Sequence, residues 1–241
     1  AIVHKNMRMG IGITGYLQAT EYQRGWLSEA YEELRRLDNE YSDARQWPRS
    51  IKLTTVKPSG TLSLLAGVTP GVHPGFSQYF IRRIRIASNS LLVDTCRSHG
   101  YPVEYVKNID SSIDYNTVVV SFPCSYPKGT VLAKDLTALQ QLEYVRELQT
   151  NWSDNAVSCT IYYRKEELPE IKAWLSTKYN ESLKSISFLL HQDHGFQQAP
   201  YEEITEEQFM SMKTTTRPIA AVGAELELLD SDCESGACPV R

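Results

Sequence analysis

Three glycines and two prolines fall within the nine residues from Gly67 to Gly75, so no helix or strand can run through that stretch. What precedes it is regular. Ile51-Lys-Leu-Thr-Thr-Val56 alternates apolar and β-branched residues like a short buried strand, and Pro58, which cannot donate to a ladder, should end it. Ser59 or Thr61 can cap a helix, with Leu62, Leu64 and Leu65 supplying the apolar side of one or two turns. A strand, a polar loop and a helix start in this order point free amides, the positive end of the helix and several hydroxyls one way, which makes a small anion cradle. An ordinary strand-to-helix connection has the same local pattern.

The chain of 241 residues is 41% hydrophobic, enough for one large domain or two small ones. Its net charge of −4 and lack of a basic block exclude a nucleic-acid duplex as a natural partner. No apolar run approaches the ~18 residues of a membrane span and no signal-peptide pattern is present, so a soluble, cytoplasmic protein with no membrane partner is expected. The sequence opens on Ala1, and its first ten residues resemble mid-domain sequence, so a longer native polypeptide is expected.

Gly10-Ile-Gly12-Ile-Thr-Gly15 matches the dinucleotide fingerprint by letter. That fingerprint needs a strand before it and an acidic residue on a second strand about 20 residues on. The residues His4 to Arg8 leave little room for the strand, and Glu32 and Glu33 fall within a helical pattern, so close helix packing at Gly12 and Gly15 is the expected use. Residues 20–41 read as an amphipathic helix with Leu27, Ala30, Leu34, Leu37 and Tyr41 inward. Tyr79 to Ala87 alternates apolar residues with Arg82, Arg83 and Arg85, which reads as a solvated edge, a set of ion pairs or a phosphate-collecting group. Leu91 to His99 should be helical and stop at Gly100.

Further on, strands are expected at 116–122, 156–163 and 185–190, separated by helices at 136–152 and 169–178. Strand, helix, strand, helix, strand is the signature of parallel α/β packing. Beyond Pro200 the hydrophobic pattern fades, and 213–241 is acidic with little to bury. Within it, Cys233-Glu-Ser-Gly-Ala-Cys238 sets two thiols in a segment with small neighbours that let them approach disulfide distance. A flexible arm carrying a dithiol suits reversible redox chemistry, and half a metal site or two incidental cysteines are the alternatives. The nearby acids should raise both thiol pKa values. Cys96, Cys124 and Cys159 lie in predicted regular elements and read as core filler. His191-Gln-Asp-His194 has the spacing of a helical metal pair but follows a strand, so no metal site is expected there.

With the Pro58-Ser-Gly-Thr-Leu-Ser63 loop, the Thr69-Pro-Gly-Val-His-Pro-Gly75 segment and the terminal dithiol in hand, the chain resembles the C-terminal third of a ribonucleotide reductase catalytic chain. The likeness runs from Asn6-Met-Arg-Met-Gly-Ile-Gly-Ile-Thr-Gly15, through Ala156-Val-Ser-Cys-Thr-Ile-Tyr-Tyr163, to the tail. It is nearest to the monomeric, adenosylcobalamin-dependent (class II) ribonucleoside-triphosphate reductases. The resemblance implies an α/β fold, the second half of a ten-stranded α/β barrel with a flexible C-terminal tail. Residues 1–212 would be the half-barrel portion with part of the cobalamin pocket, and 213–241 a mobile redox tail.

By the same resemblance, Pro58, Ser59, Gly60, Thr61 and Leu62, with Ser63 nearby, would hold the phosphates of a ribonucleoside triphosphate on its way to the deoxyribonucleotide. Cys233 and Cys238 would re-reduce an active-site disulfide and be reduced in turn by thioredoxin. Adenosylcobalamin would contact the regions Gly67 to Lys128 and Ser187 to Leu226. A deoxynucleotide effector would bind outside this chain. Tyr162 and Tyr163 resemble the radical-relaying pair of class I enzymes and are read here as packing. The family's radical cysteine stands in an Asn-x-Cys-x-Glu motif that does not occur in this sequence, so the piece alone is expected to be inactive. A nucleotide-binding module without redox chemistry and an NAD-linked oxidoreductase using Gly10, Gly12 and Gly15 are the competing readings.

Overall fold

The computed structural model describes residues 5–108, 110–191 and 197–219. In chain order these form β1 (Arg8–Gly12), a 3-10 turn (Tyr16–Gln18), α1 (Glu21–Ala44), β2 (Lys52–Thr55) and α2 (Leu62–Leu65). Next come β3 (Tyr79–Ala87), α3 (Leu91–Ser98), β4 (Val103–Lys107), β5 (Ile113–Ser125), α4 (Ala138–Asn151) and β6 (Thr160–Tyr163). They are followed by α5 (Leu168–Ser182), β7 (Ser187–Leu190), β8 (Tyr201–Glu203) and α6 (Glu206–Thr215). The elements divide between two compact units, one built from Ala1–Gly75 and Gly129–Gln192, the other from Phe76–Lys128 and Asp193–Arg241. Among the described residues no helix is long and apolar enough to cross a membrane.

The first unit carries two parallel strand pairs. In β1 and β2, Ile11 faces Thr54 and Gly12 faces Thr55; in β6 and β7, Thr160 faces Ser187 and Tyr163 faces Leu190. A parallel bridge between Val56 and Val157 joins the pairs, backed by Asn155 N–H to Thr54 O (3.1 Å) and Ser158 N–H to Val56 O (3.0 Å). The helices begin where short side chains can replace missing intrahelical partners. Thr20 with Gln23 and Thr137 with Gln140 form capping boxes, each worth about 1 kcal/mol. Pro169 occupies the first turn of α5, where its lacking N–H costs nothing. Leu142, Val145 and Leu148 of α4, Ile171 and Trp174 of α5, and Val157 and Ile161 form one core, each large side chain contributing roughly 1.5–3 kcal/mol by burial. Gln141 is buried in it and is satisfied by both backbone groups of Tyr162, at 2.9 and 3.0 Å.

Of the apolar stripe expected on α1, only Leu27 and Leu34 pack inward, and Ala30 is exposed, its place taken by Tyr31. Leu27, Tyr31 and Leu34 rest on the core, whereas Leu37 and Tyr41 are 46% and 53% exposed. The inner face continues instead through Arg35, Asp38 and Ser42, one helical step aside. Asp38 accepts the amide (2.9 Å) and hydroxyl (2.7 Å) of Ser50, and Arg35 pairs with Asp154 at 2.7 Å. Asp154 also accepts the Tyr31 hydroxyl and the Leu53 amide, tying α1, β2 and the segment before β6 together.

The second unit is an antiparallel sheet in the order β4-β5-β3-β8. Two expectations fail here, the second in part. The strand expected around 116–122 is part of β5, which pairs antiparallel with β3 from Thr117–Ala87 to Ser125–Tyr79, so the parallel alternation begins only after α4. β5 flanks the arginine-rich β3 along its whole length but β8 only over Phe80–Arg82, so among the described residues the edge reading is overturned at Arg82 and holds at the exposed Arg85. The segment beyond Pro200, read as patternless, forms β8 and α6, with Phe209 buried against Tyr79.

Candidate functional site

The loop after β2 takes the course its residues dictate. Val56 makes the last ladder contact, Pro58 donates nothing, and Ser59 turns the chain at φ +50, a left-handed conformation seldom held by a serine. Ser59 O accepts the Ser63 amide at 2.9 Å and Thr61 O the Leu64 amide at 3.2 Å, which starts α2. Thr61 is the N-cap, yet its hydroxyl makes no capping bond. Thr61 and Leu62 are exposed, Pro58 and Ser59 half-buried, and Gly60 and Ser63 buried.

The apolar side expected for α2 is absent. Leu62 and Leu65 are 64% and 86% exposed, and the fully buried residue is Ser63, whose Oγ has no partner. With four residues, α2 also has too few aligned peptides for much of a dipole. Any anion affinity of this loop therefore rests on its amides and on the Ser59 and Thr61 hydroxyls. Hydrogen bonds from such groups to a charged acceptor are worth about 1.5–3 kcal/mol each. Ser63 points inward and does not join them.

Beyond α2 the chain passes Gly67 (φ +64) and returns through the buried run 69–75. The glycine-rich segment at the start of the chain holds it there. Gly15 N–H donates to Thr69 O (2.8 Å), Thr14 Oγ1 to Thr69 O (3.0 Å), and Tyr16 N–H to Gly71 O (3.1 Å). Gly71 N–H returns a bond to Thr14 Oγ1 (2.9 Å), and Gln18 Oε1 accepts the Thr69 amide (2.9 Å). A Cβ on Gly15, itself at φ +73, would lie 2.9 Å from Val68 Cβ. Close packing is thus the use of Gly15, but against a loop residue rather than the helix expected, and a Cβ on Gly12 would make only an ordinary contact, at 3.8 Å from Thr55. A strand does exist there, but β1 runs through Gly10 and Gly12 rather than ending before them, and α1 starts only at Glu21. The glycines lie at no strand-to-helix turn, and the dinucleotide reading fails on that geometry.

The two regions expected to contact a cofactor, Gly67 to Lys128 and Ser187 to Leu226, meet in the second unit, where β8 pairs with β3. Phe76 and Tyr201 rings stand 5.5 Å apart, Phe80 and Tyr201 5.7 Å, and Phe80 and Tyr126 5.1 Å. The Arg82 guanidinium lies 4.5 Å over the Tyr201 ring and donates to Pro200 O. Arg82 Nε and the Tyr126 hydroxyl are buried without hydrogen-bond partners. Arg83 instead pairs with Glu202 and donates to Ala199 O at 3.1 Å, and Arg85 is exposed. Of the three arginines, the ion-pair reading holds for Arg83, and Arg82 has joined an aromatic cluster that the sequence reading missed. The alternation of Phe80 and Arg82 on one strand face was the available signal; Tyr201, far along the chain, was not.

The cysteines in the described residues are free. Burial pushes the Cys159 thiol up to about 12 and raises Cys96, and both are core residues. Cys124, half-buried, is also raised by burial, with Arg82 opposing. All three stay protonated near neutrality, as filler should. Tyr163 packs edge-on against Phe188, and Tyr162 near the His191 ring. His194, Cys233 and Cys238 lie outside the described residues. No group of three or more metal-binding side chains occurs among the described residues.

Comparison with known proteins gives a consistent answer. Residues 4–189 match the family model "Ribonucleotide reductase, barrel domain". A Dictyostelium discoideum protein named probable adenosylcobalamin-dependent ribonucleoside-triphosphate reductase is 34% identical, over 99% of this chain and 32% of its own length. The Levilactobacillus brevis adenosylcobalamin-dependent ribonucleoside-triphosphate reductase is 36% identical, over 88% of this chain and 29% of its own. A crystal structure of a B12-dependent (class II) ribonucleotide reductase superposes with a TM-score of 0.74 at 28% identity, covering 90% of this chain and 34% of that one. The chain thus spans about a third of the length of the relatives it matches.

Proposed function

The chain belongs to the ribonucleotide reductase barrel-domain family, and from that premise we propose that it is the C-terminal portion of an adenosylcobalamin-dependent ribonucleoside-triphosphate reductase. The observation that carries the reading is the loop at the end of β2. There Pro58 ends the ladder and Ser59 turns the chain, leaving Thr61 exposed and the half-buried Ser59 with its hydroxyl on Lys57 O at 3.3 Å, a long bond that a phosphate would replace. In this reading Pro58, Ser59, Gly60, Thr61 and Leu62 take the substrate's phosphates and fix its ribose for reaction. Ser63 supports the loop from inside.

Adenosylcobalamin, when bound, supplies the radical chemistry through cleavage of its cobalt–carbon bond. The second unit fits such a group in one respect: Arg82 Nε and the Tyr126 hydroxyl are buried donors without acceptors, beside the rings of Phe76, Phe80 and Tyr201. A large apolar ligand fringed with amide carbonyls would satisfy both. Arg82 and Tyr126 are the side chains assigned to it here.

Reduction of the ribose at C2′ releases water and leaves an active-site dithiol oxidised to a disulfide. Cys233 and Cys238 would return two electrons and two protons to that disulfide by thiol–disulfide exchange and become the disulfide themselves, to be reduced by thioredoxin. The radical and reducing cysteines and the deoxynucleotide effector site would lie in the rest of the reductase chain, in a cytoplasmic enzyme.

The test uses the full-length reductase carrying Ser59→Ala with Thr61→Ala. Loss of two hydrogen bonds to a charged group should raise KM for the ribonucleoside triphosphate at least roughly 100-fold, with kcat changed only a few-fold. An unchanged KM would refute the loop's role.

A further inference from the structure

His73 is 5% exposed and is fixed by two backbone groups. Its Nδ1 lies 3.1 Å from Pro70 O, and its Nε2 lies 3.1 Å from the amide nitrogen of Thr160, the first residue of β6. An amide can only donate, so Nε2 is the acceptor and the imidazole carries its proton on Nδ1, directed at Pro70 O. The same carbonyl also accepts the His73 amide at 2.8 Å, closing the turn Pro70–His73. Burial lowers the His73 pKa, in keeping with the neutral ring that this geometry requires.

Gly71, inside that turn, has φ +56, and the carbonyl of Lys57 occupies the space that a side chain on Gly71 would need. Lys57 is the residue from which the loop Pro58 to Ser63 departs. The loop therefore starts on a turn whose distance from β6 is set by one imidazole, while Thr14 and Tyr16 hold the turn's other side. We infer that His73 is a positioning residue for the phosphate loop: by tethering the Pro70–His73 turn to Thr160, it sets where Lys57, and hence the loop amides and hydroxyls, stand relative to the sheet. The inference rests on the phosphate-loop reading above. It assigns to a buried histidine a part in substrate binding that packing alone would not give it.

The decisive measurement is a KM-against-kcat comparison in the full-length reductase with His73→Ala, His73→Gln and His73→Asn. His73→Ala should raise KM for the ribonucleoside triphosphate about tenfold, the worth of a lost buried hydrogen bond, with kcat within about threefold of the parent. His73→Gln, whose Oε1 can take the Thr160 amide, should recover most of that loss. His73→Asn can keep only the bond to Pro70 and should not. A lowered Tm with an unchanged KM in His73→Ala would overturn the inference. Where His73→Ala fails to fold, Gln and Asn variants of equal KM would do the same. If Ser59→Ala with Thr61→Ala raises KM and the His73 variants do not, this inference alone fails. If the loop variant leaves KM unchanged, the phosphate-loop reading itself has failed and the inference goes with it.

Discussion

The carbonyl oxygen of Lys57 sits where a Cβ on Gly71 would have to go, so the base of the candidate phosphate loop is seated on the one residue type that admits it. Gly67, four residues earlier, makes a useful contrast. Both have positive φ, +56 at Gly71 and +64 at Gly67, but a Cβ on Gly67 meets nothing within 4 Å. Gly67→Ala should cost only the left-handed strain of about 1–2 kcal/mol. Gly71→Ala adds a clash with backbone that cannot move without shifting the loop. It should cost at least about 2 kcal/mol more in chemical denaturation and raise KM for the nucleotide. Equal costs for the two variants would show that the loop is not seated in this way.

Glu143 gives a prediction about acid. Partial burial raises its pKa, but hydrogen bonds from Lys178 (2.6 Å), Trp174 (2.7 Å) and Arg146 (2.7 Å) outweigh that and hold it down at about 2, against the usual 4.5. As pH falls, the unfolded chain takes up this proton first. The stabilisation is therefore fully present above about 4.5 and is lost as pH falls toward about 2. Glu143→Gln should lower stability at neutral pH and flatten the dependence of the urea midpoint on pH across that window. A parallel-shifted profile would mean that Glu143 is not the titrating group.

Tyr126 separates stability from ligand binding. A buried hydroxyl without a partner costs roughly 1–3 kcal/mol, so Tyr126→Phe should leave the ligand-free protein as stable or more stable. If that hydroxyl serves cobalamin, the same change should weaken hydroxocobalamin binding to the full-length enzyme several-fold, read from visible absorbance without turnover. Unchanged affinity would remove Tyr126 from the cofactor site.

Local chemistry was the part of the fold that could be read from residues. Pro58 and the Gly67 to Gly75 run located the loop, and the three- and four-residue apolar spacing located α1 and α4, because each signal lies within its own element. The capping boxes at Thr20 and Thr137 are equally legible signals that the sequence reading missed. Strand direction is set by distant partners. Val118, Val119 and Val120 are all buried, so β5 shows the unbroken apolar run of a parallel strand although β3 pairs with it antiparallel. Arg82 looked like an edge charge because the ring it lies against, Tyr201, belongs to a strand at the far end of the chain. The leucines of α2 misled in the opposite direction. Their spacing suggests a buried face, yet Ser63 is the residue that the loop turns inward, since its backbone is committed to Ser59 and Val68. His73 carried no periodic signal at all, as its two partners are main-chain groups.

The tail dithiol yields the sharpest kinetic split. Cys233 and Cys238 would act only after the active-site disulfide has formed, so neither is needed for the first reduction. In the full-length enzyme, Cys233→Ser or Cys238→Ser should leave the single-turnover yield of deoxynucleotide at the parent level while abolishing multiple turnover with thioredoxin as reductant. A small dithiol reagent that reaches the active-site disulfide directly should restore cycling in both variants, because it bypasses the relay. Either single serine should suffice to stop the relay, since exchange needs one cysteine to attack and the other to resolve the mixed disulfide. Undiminished thioredoxin-driven turnover in either variant would remove the tail from the electron path and leave the phosphate loop as this segment's contribution to catalysis.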